Sequence, residues 1–301
     1  MTNRIATFPA TERLIVDNMR LQSSLADTQV QLSTGLKSTT YIGIASETQR
    51  LLNVERNYDS LEKYNTNAVT VAGNIDIAYN AVKSILDLAN NFLQTLTAAQ
   101  SGSYLDPQVT KNQGTILQQE VVGLLNTQSA GRYLFAGSVI DVPPVDINDP
   151  AFTPQTVPST PNTGYYQGDN TIISAQLSES LTINYGFTAN NPAFEQLMRS
   201  LNLAINNPGN TAALAESSDL MRSAIDGMAN IFSQMSTFAR TVENQSQRND
   251  EDMSVMKTVI GNIKGADIAA TTVRQKELET QIQASYASSV SILNLKLTDY
   301  I

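Results

Sequence analysis

Residues 51–96 read LLNVERNYDSLEKYNTNAVTVAGNIDIAYNAVKSILDLANNFLQTL. Stepping through them by three and four reaches Leu51, Val54, Tyr58, Leu61, Asn65, Ala68, Ala72, Ile75, Tyr79, Val82, Leu86, Ala89, Leu93 and Leu96, of which only Asn65 is neither apolar nor tyrosine. No proline interrupts the stretch. A 3.5-residue period held this long predicts a coiled-coil helix, roughly 70 Å in length at 1.5 Å per residue. Leu51, Val54, Tyr58, Leu61, Ala68, Ile75, Val82, Leu86 and Leu93 are its expected core face. The lone Asn65 either fixes the register of pairing or marks a place where the stripe turns toward water.

Other helices flank this one. Leu14, Asn18, Leu21, Leu25, Thr28 and Leu32 repeat at the same spacing, which predicts a first helix from about Thr11 to Gly35, with Gly35 just past its end. A polar break, 37–46, separates the two. After a turn cluster at 100–107, a third helix is expected over roughly Pro107 to Ala130. Asp106 would cap it, Pro107 would take its first position, and Leu117, Val121 and Leu124 would face inward. Past Pro192, Phe194, Leu197 and Leu201 predict a short helix closed at Asn206-Asn-Pro-Gly209. Another runs from Thr211 to about Thr237, carrying Leu220, Ala224, Met228, Ile231 and Met235. The polar run Glu243–Asp252 then reads as a break before a last helical stretch, where Ile282, Tyr286, Val290, Leu293 and Leu297 share one face.

Between these helical thirds the rhythm changes. Gly131-Arg-Tyr-Leu-Phe-Ala-Gly137 alternates Tyr133 and Phe135 with Arg132 and Leu134, as an extended segment would. Six of the ten prolines fall between Val142 and Pro161. Tyr165–Asp169, Thr171–Ile173 and Leu181–Tyr185 read as short strands. A small β-rich insert over about 138–190 follows, with Tyr133 and Phe135 as aromatic anchors at its base. An insert tolerated in mid-chain implies that the helices on either side pack together. The fold class is therefore mainly α: a long helical coiled-coil bundle built from both ends of the chain, carrying a small β-rich insert.

Composition narrows the function. The 301 residues contain 41% hydrophobic and only 16% charged residues, with a net charge of −9. An acidic chain without a basic cluster has no electrostatic reason to bind nucleic acid. Cysteine, histidine and tryptophan are absent, so thiolate catalysis, imidazole acid–base chemistry and the common zinc sites are excluded. Asp141, Asp146 and Asp149 have oxygen-ligand spacing, but the prolines around them read as a solvated turn rather than a calcium loop. No phosphate-binding loop or nucleophile–base pair is present. The expectation is a non-enzyme with no cofactor and no metal. No apolar run spans a membrane, and the N-terminus lacks the apolar core of a cleaved secretory signal.

Several of these stretches together resemble the bacterial flagellin family. Leu32-Ser-Thr-Gly-Leu36 is similar to that family's Leu-Ser-Ser-Gly segment. Gly131-Arg-Tyr-Leu-Phe-Ala-Gly137, Tyr166-Gln-Gly-Asp169 and the ending Leu295-Lys-Leu-Thr-Asp-Tyr-Ile301 are most similar to the hook-associated members that sit at the hook–filament junction. The stretch Thr39-Thr-Tyr-Ile-Gly-Ile-Ala45 departs from the family's Ser-Asp-Asp-Pro pattern, so the family's contacts there are not carried over. The resemblance implies a structural subunit, exported without a cleaved signal to the extracellular flagellum. Its expected partners are copies of itself in a ring, a hook-side junction neighbour, flagellin, and a cytoplasmic export chaperone on the C-terminal region.

It also implies a division of the chain. Residues 1–45 and 261–301 would form an inner assembly domain, 46–137 with 192–260 a rod, and 138–191 an outer insert. The assembly contacts would be made by Leu14, Leu21, Leu25, Leu32, Ile282, Tyr286, Val290, Leu293 and Leu297. Flagellin itself is the nearest alternative, and a cytoplasmic coiled-coil adaptor is the alternative of another class.

Overall fold

The computed structural model describes the backbone of residues 3–101 and 106–294 and the side chains of 12–101 and 106–291. Six helices account for most of it: α1 (Asn3–Thr34), α2 (Thr48–Gln100), α3 (Pro107–Leu125), α4 (Pro192–Asn206), α5 (Thr211–Lys264) and α6 (Ile268–Asn294). Four short strands lie between α3 and α4: β1 (Gln128–Ser129), β2 (Arg132–Tyr133), β3 (Ser174–Gln176) and β4 (Thr182–Asn184). They pair as two antiparallel hairpins, β1 with β2 and β3 with β4. The insert is thus mostly irregular chain, as its prolines require.

The helix boundaries follow local chemistry. α1 ends where Gly35 takes φ +69° and donates to the Gln31 carbonyl. The Asp106 carboxylate accepts from the Gln108 amide at 2.9 Å and caps α3, with Pro107 in its first turn. Asn191 caps α4 in the same way through the Ala193 amide. α3 stops at Leu125, five residues before its expected end. Ala130 and Gly131, with φ of 49° and 77°, instead make the two-residue turn that closes the β1–β2 hairpin.

α5 runs unbroken to Lys264, so the polar run Glu243–Asp252 is helical rather than a break. No glycine or proline lies between Phe238 and Ile260 to stop it. Its buried polar residues are also provided for: Gln245 donates to Asn249 at 2.8 Å, and Asn249 donates to the Leu177 carbonyl at 3.0 Å. The break falls at Gly265–Asp267, where Asp267 receives the Ala270 amide.

The chain forms two compact units, one of residues 1–60 with 253–301 and one of 61–252. The larger unit holds the main core. In it α2 buries Ala68, Val71, Ile75, Ala78, Val82, Ile85, Ala89, Phe92 and Leu96. That seam is offset from the expected one. Two successive steps of three, Asn65 to Ala68 to Val71, replace a four-three alternation and rotate the buried face. Val71, Ala78, Ile85 and Phe92 take the places expected for Ala72, Tyr79, Leu86 and Leu93. Ala72 is exposed, while Tyr79, Leu86 and Leu93 flank the core. Tyr79 stacks on Phe232 of α5 with ring centroids 4.0 Å apart. α3 packs against α4, and Leu117, Val121 and Leu125 close this end of the core.

Candidate assembly surface and insert base

In the smaller unit, α1 packs along α6 within the single chain. Leu14, Leu21, Leu25 and Leu32 are half-buried, and Thr28 between them is buried. This is the stripe expected from the sequence, turned toward a partner helix of the same molecule. On α6 the sheltered positions are Thr271, Gln275, Leu278, Glu279, Ile282, Ser285 and Ser289. Tyr286 and Val290 lie on the outer side instead, 47% and 56% exposed, although the Tyr286 hydroxyl accepts a hydrogen bond from Gln22 at 2.6 Å. The offset arises because the sheltered face of α6 is lined partly by serines, which an apolar-period reading passes over. The Leu293 side chain and Leu297 lie outside the described residues.

Apolar side chains that no stripe includes point outward from this hairpin. They are Ile15, Val16, Met19 and Val30 on α1, and Ile268 and Val273 on α6. At helical spacing Ile15, Met19 and Val30 fall within one side of α1. Twelve of the twenty exposed large apolar side chains among the described residues belong to the smaller unit, although it holds only about a third of the chain. Among the described residues, its buried apolar ones are Ile44, Leu51, Ile263 and Leu278. Val54, Tyr58 and the adjoining Leu61 are half-buried.

The two crossings between helices in this unit are fastened to each other. Leu36 and Gly265 form an antiparallel bridge, with Lys37 N–H donating to the Lys264 carbonyl at 2.7 Å and Ala266 N–H to that of Gly35 at 2.8 Å. Lys264 Nζ meets Glu55 Oε1 at 2.5 Å, a bond that raises the lysine pKa. Tyr41 donates to the other Glu55 oxygen at 3.1 Å.

In the larger unit, the two motifs of the insert meet. Asp169 N–H donates to the Ala136 carbonyl at 3.1 Å, and the Asp169 carboxylate accepts from the Ser138 hydroxyl, the Ser138 amide at 2.8 Å and the Thr171 amide at 3.0 Å. These bonds, the Ser138 hydroxyl first, hold the carboxyl down at about 2. Gly137 adopts φ +73°, and a Cβ there would lie 2.1 Å from Asp169 Oδ1. The glycine of one motif is therefore demanded by the aspartate of the other.

Phe135 is fully buried and meets Phe194 edge-on at 5.9 Å, and its carbonyl accepts from the Ala189 amide. Tyr133 is half-buried, and Leu134 is buried. Tyr165 is buried as well and donates to the Ala189 carbonyl at 3.0 Å; burial pushes its pKa up. The β3–β4 hairpin is held by two asparagines, Asn67 bonding the Gln176 carbonyl at 3.2 Å and Asn249 that of Leu177. Neither asparagine carried a sequence signal, since each looks like a solvent-facing helix residue.

Asn65 has two partners on α5. It donates to Asp250 at 2.9 Å and accepts from Ser246 at 2.6 Å, at the point where the α2 seam shifts. Asp146 and Asp149 spend an oxygen each on the amides two residues ahead, as turn-forming aspartates do. No group of His, Cys, Asp or Glu suited to a metal ion occurs among the described residues. No helix among them is long and apolar enough to cross a membrane.

Residues 10–139 match the bacterial flagellin N-terminal helical region. The more particular likeness is to solved hook-associated proteins. A candidate flagellar hook-associated protein of Vibrio parahaemolyticus superposes with a TM-score of 0.61 at 13% identity, covering 72% of this chain and 97% of that one. FlgL of Bacillus cereus superposes with a TM-score of 0.54 at 16% identity, covering 70% and 99%. No curated protein matches the chain.

Proposed function

We propose that this chain is a structural subunit of the bacterial flagellum, joining hook to filament by polymerising through its terminal helices. The observation that carries this is the imbalance of the smaller unit, which buries four apolar side chains and leaves twelve large ones exposed among the described residues. A helical hairpin so poor in core and so rich in outward apolar surface gains most by being covered. The flagellin N-terminal helical region and the hook-associated fold supply the setting. Residues 1–45 and 261–301 are the assembly domain in this reading, 46–137 with 192–260 the rod, and 138–191 the outward insert. The terminal stripes hold α1 to α6, and the outer faces of that hairpin meet neighbouring copies.

The mechanism is burial of surface, with no chemistry and no cofactor. The partners are copies of the same chain in a ring, a hook-side neighbour, flagellin above, and an export chaperone on the C-terminal region before release to the extracellular axis. Immunogold labelling of cells tests this. A band of label at the hook–filament boundary is expected. Label along whole filaments would make the chain a flagellin, and label confined to cytosol would overturn the flagellar reading. Deletion of 282–301 should leave 61–252 folded and abolish incorporation.

A further inference from the structure

We propose that residues 153–163 form a flap that lifts from α4 and α5 as a unit while the rest of the insert stays closed. The flap is the outer part of a loop, 146–165, whose neck is fixed. Val145 and Tyr166 pair as an antiparallel bridge, with the Asp146 amide donating to the Tyr165 carbonyl at 2.8 Å and the Gln167 amide to that of Pro144 at 2.9 Å. Asn126 grips both the amide and the carbonyl of Val145, each at 2.9 Å. Val145 and Tyr165 are buried, and Phe152 meets the Tyr165 ring edge-on at 5.4 Å. Ile147 and Phe152 both pack against the core. As far as Phe152 the loop is therefore built into the hydrophobic interior.

Beyond it the bonding changes in kind. Among the described residues, none of 153–163 takes part in the hydrophobic core, and Val157 is 40% exposed. Pro154, Pro158 and Pro161 have no N–H to give. Four side chains hold the flap instead. Asn202 of α4 accepts from the Gln155 amide at 2.8 Å and donates to the Thr153 carbonyl at 3.2 Å, while Asn207, just past α4, donates to the Gln155 carbonyl at 2.9 Å. Glu195 of α4 accepts the Asn162 amide at 2.9 Å, and Glu216 of α5 accepts both the amide and the hydroxyl of Ser159. Bonds of this kind are exchanged for bonds to water at small net cost. The neck can open only by exposing apolar side chains. A local opening unit begins where the one kind of bonding gives way to the other. Glu195 stays paired with Arg199 at 3.2 Å when the flap lifts, so no lone buried charge is left behind. The insert surface thus has two states, one in which the flap's main chain covers Asn202, Asn207, Glu195 and Glu216, and one in which their amides and carboxylates are presented.

Hydrogen exchange of the folded full chain, resolved to single amides, tests this. The amides of Gln155, Ser159, Asn162 and Thr160, the last bonded to Gln155 Oε1 at 3.2 Å, should exchange through one common opening. That opening should be roughly a hundredfold or more favourable than the one that frees Val145, Asp146 and Gln167. Equal protection of flap and neck, or four unrelated openings within the flap, overturns the unit. Glu216→Ala removes two bonds to a carboxylate and should raise flap opening about tenfold or more, with the neck amides and the melting temperature unchanged. Ser159→Ala keeps the amide bond and should raise it less. Flap rates that ignore both substitutions, or neck rates that rise along with them, overturn the latch.

Discussion

The outward face of α1 permits a quantitative test. Ile15 and Met19 are 56% and 65% exposed and lie one turn apart. Fully burying a side chain of this kind is worth about 1.5–3 kcal/mol, so covering the exposed part of each contributes about 1–2 kcal/mol. If a neighbouring subunit covers both, Ile15→Ser with Met19→Ser weakens each contact by about 2–4 kcal/mol. At 1.4 kcal/mol per factor of ten, the concentration at which the protein associates should rise by roughly thirty- to several-hundred-fold. The isolated subunit should hardly notice, because surface substitutions of this type usually stay within about 0.5 kcal/mol. Sedimentation over a concentration series gives the association threshold, and far-UV circular dichroism with thermal melting confirms the fold. A variant that folds normally and associates at the parent threshold would refute the assignment of this face. Leu21→Ala with Leu25→Ala is the contrasting perturbation, since it should loosen α6 from α1 within one molecule and show first in the melt.

The larger unit yields further expectations. Phe135→Ala, which empties a fully buried site against Phe194, should cost about 3–5 kcal/mol, read as a lower urea midpoint for the unit 61–252. Gly137→Ala places a side chain at φ +73° against Asp169, so amide exchange should show Ser138 and Thr171 losing protection while the helices keep theirs. The Asp169 carboxyl titrates at about 2 rather than at 3.8. A depressed folded-state pKa stabilises above the unfolded value and is lost as pH falls. The stability it contributes should therefore fall away between about pH 4 and pH 2, the amide signals of Ser138 and Thr171 should shift around pH 2, and Asp169→Asn should abolish that shift. Asn65→Leu should raise the melting temperature, because a polar seam residue costs stability; an unchanged or lower one would show that its bonds to Ser246 and Asp250 are worth as much as apolar packing.

How much of this could be read from the chain depends on which forces set each feature. Helix starts were legible at Asp106-Pro107 and Asn191-Pro192, because capping is a local interaction of a few adjacent atoms. Beyond Ala68 the α2 stripe was legible at Ile75, Val82, Ala89 and Leu96, while the alternate positions are displaced by one residue. There the face is set by what surrounds the helix, α5 and the insert among them, which no local period records. The continuity of α5 through Glu243–Asp252 was hidden for the same reason. Gln245 and Asn249 look like surface residues until the Leu177 carbonyl is brought to them. The pairing of Gly137 with Asp169 joins positions far apart in sequence, and only each motif's resemblance hinted at it.

The candidate assembly surface was the least legible part, and the physics explains why. A period of apolar residues reports the face a helix buries in its own molecule, since that face must be nearly continuous to hold a hairpin together. The terminal leucine stripe accordingly marks the α1–α6 seam. A face covered only on association needs no such continuity. It can be sparse, interleaved with polar residues that keep the free subunit soluble, and this is how Ile15, Met19 and Val30 lie among Gln22 and Ser23. Ile268 and Val273 sit on α6 in the same scattered way. In a chain with so few charged residues, polar uncharged side chains must supply most of that spacing. The stripes therefore specify how one subunit folds, whereas the scattered outward residues are where subunits would meet. A sequence search for assembly contacts in proteins of this kind should look at what lies off the heptad.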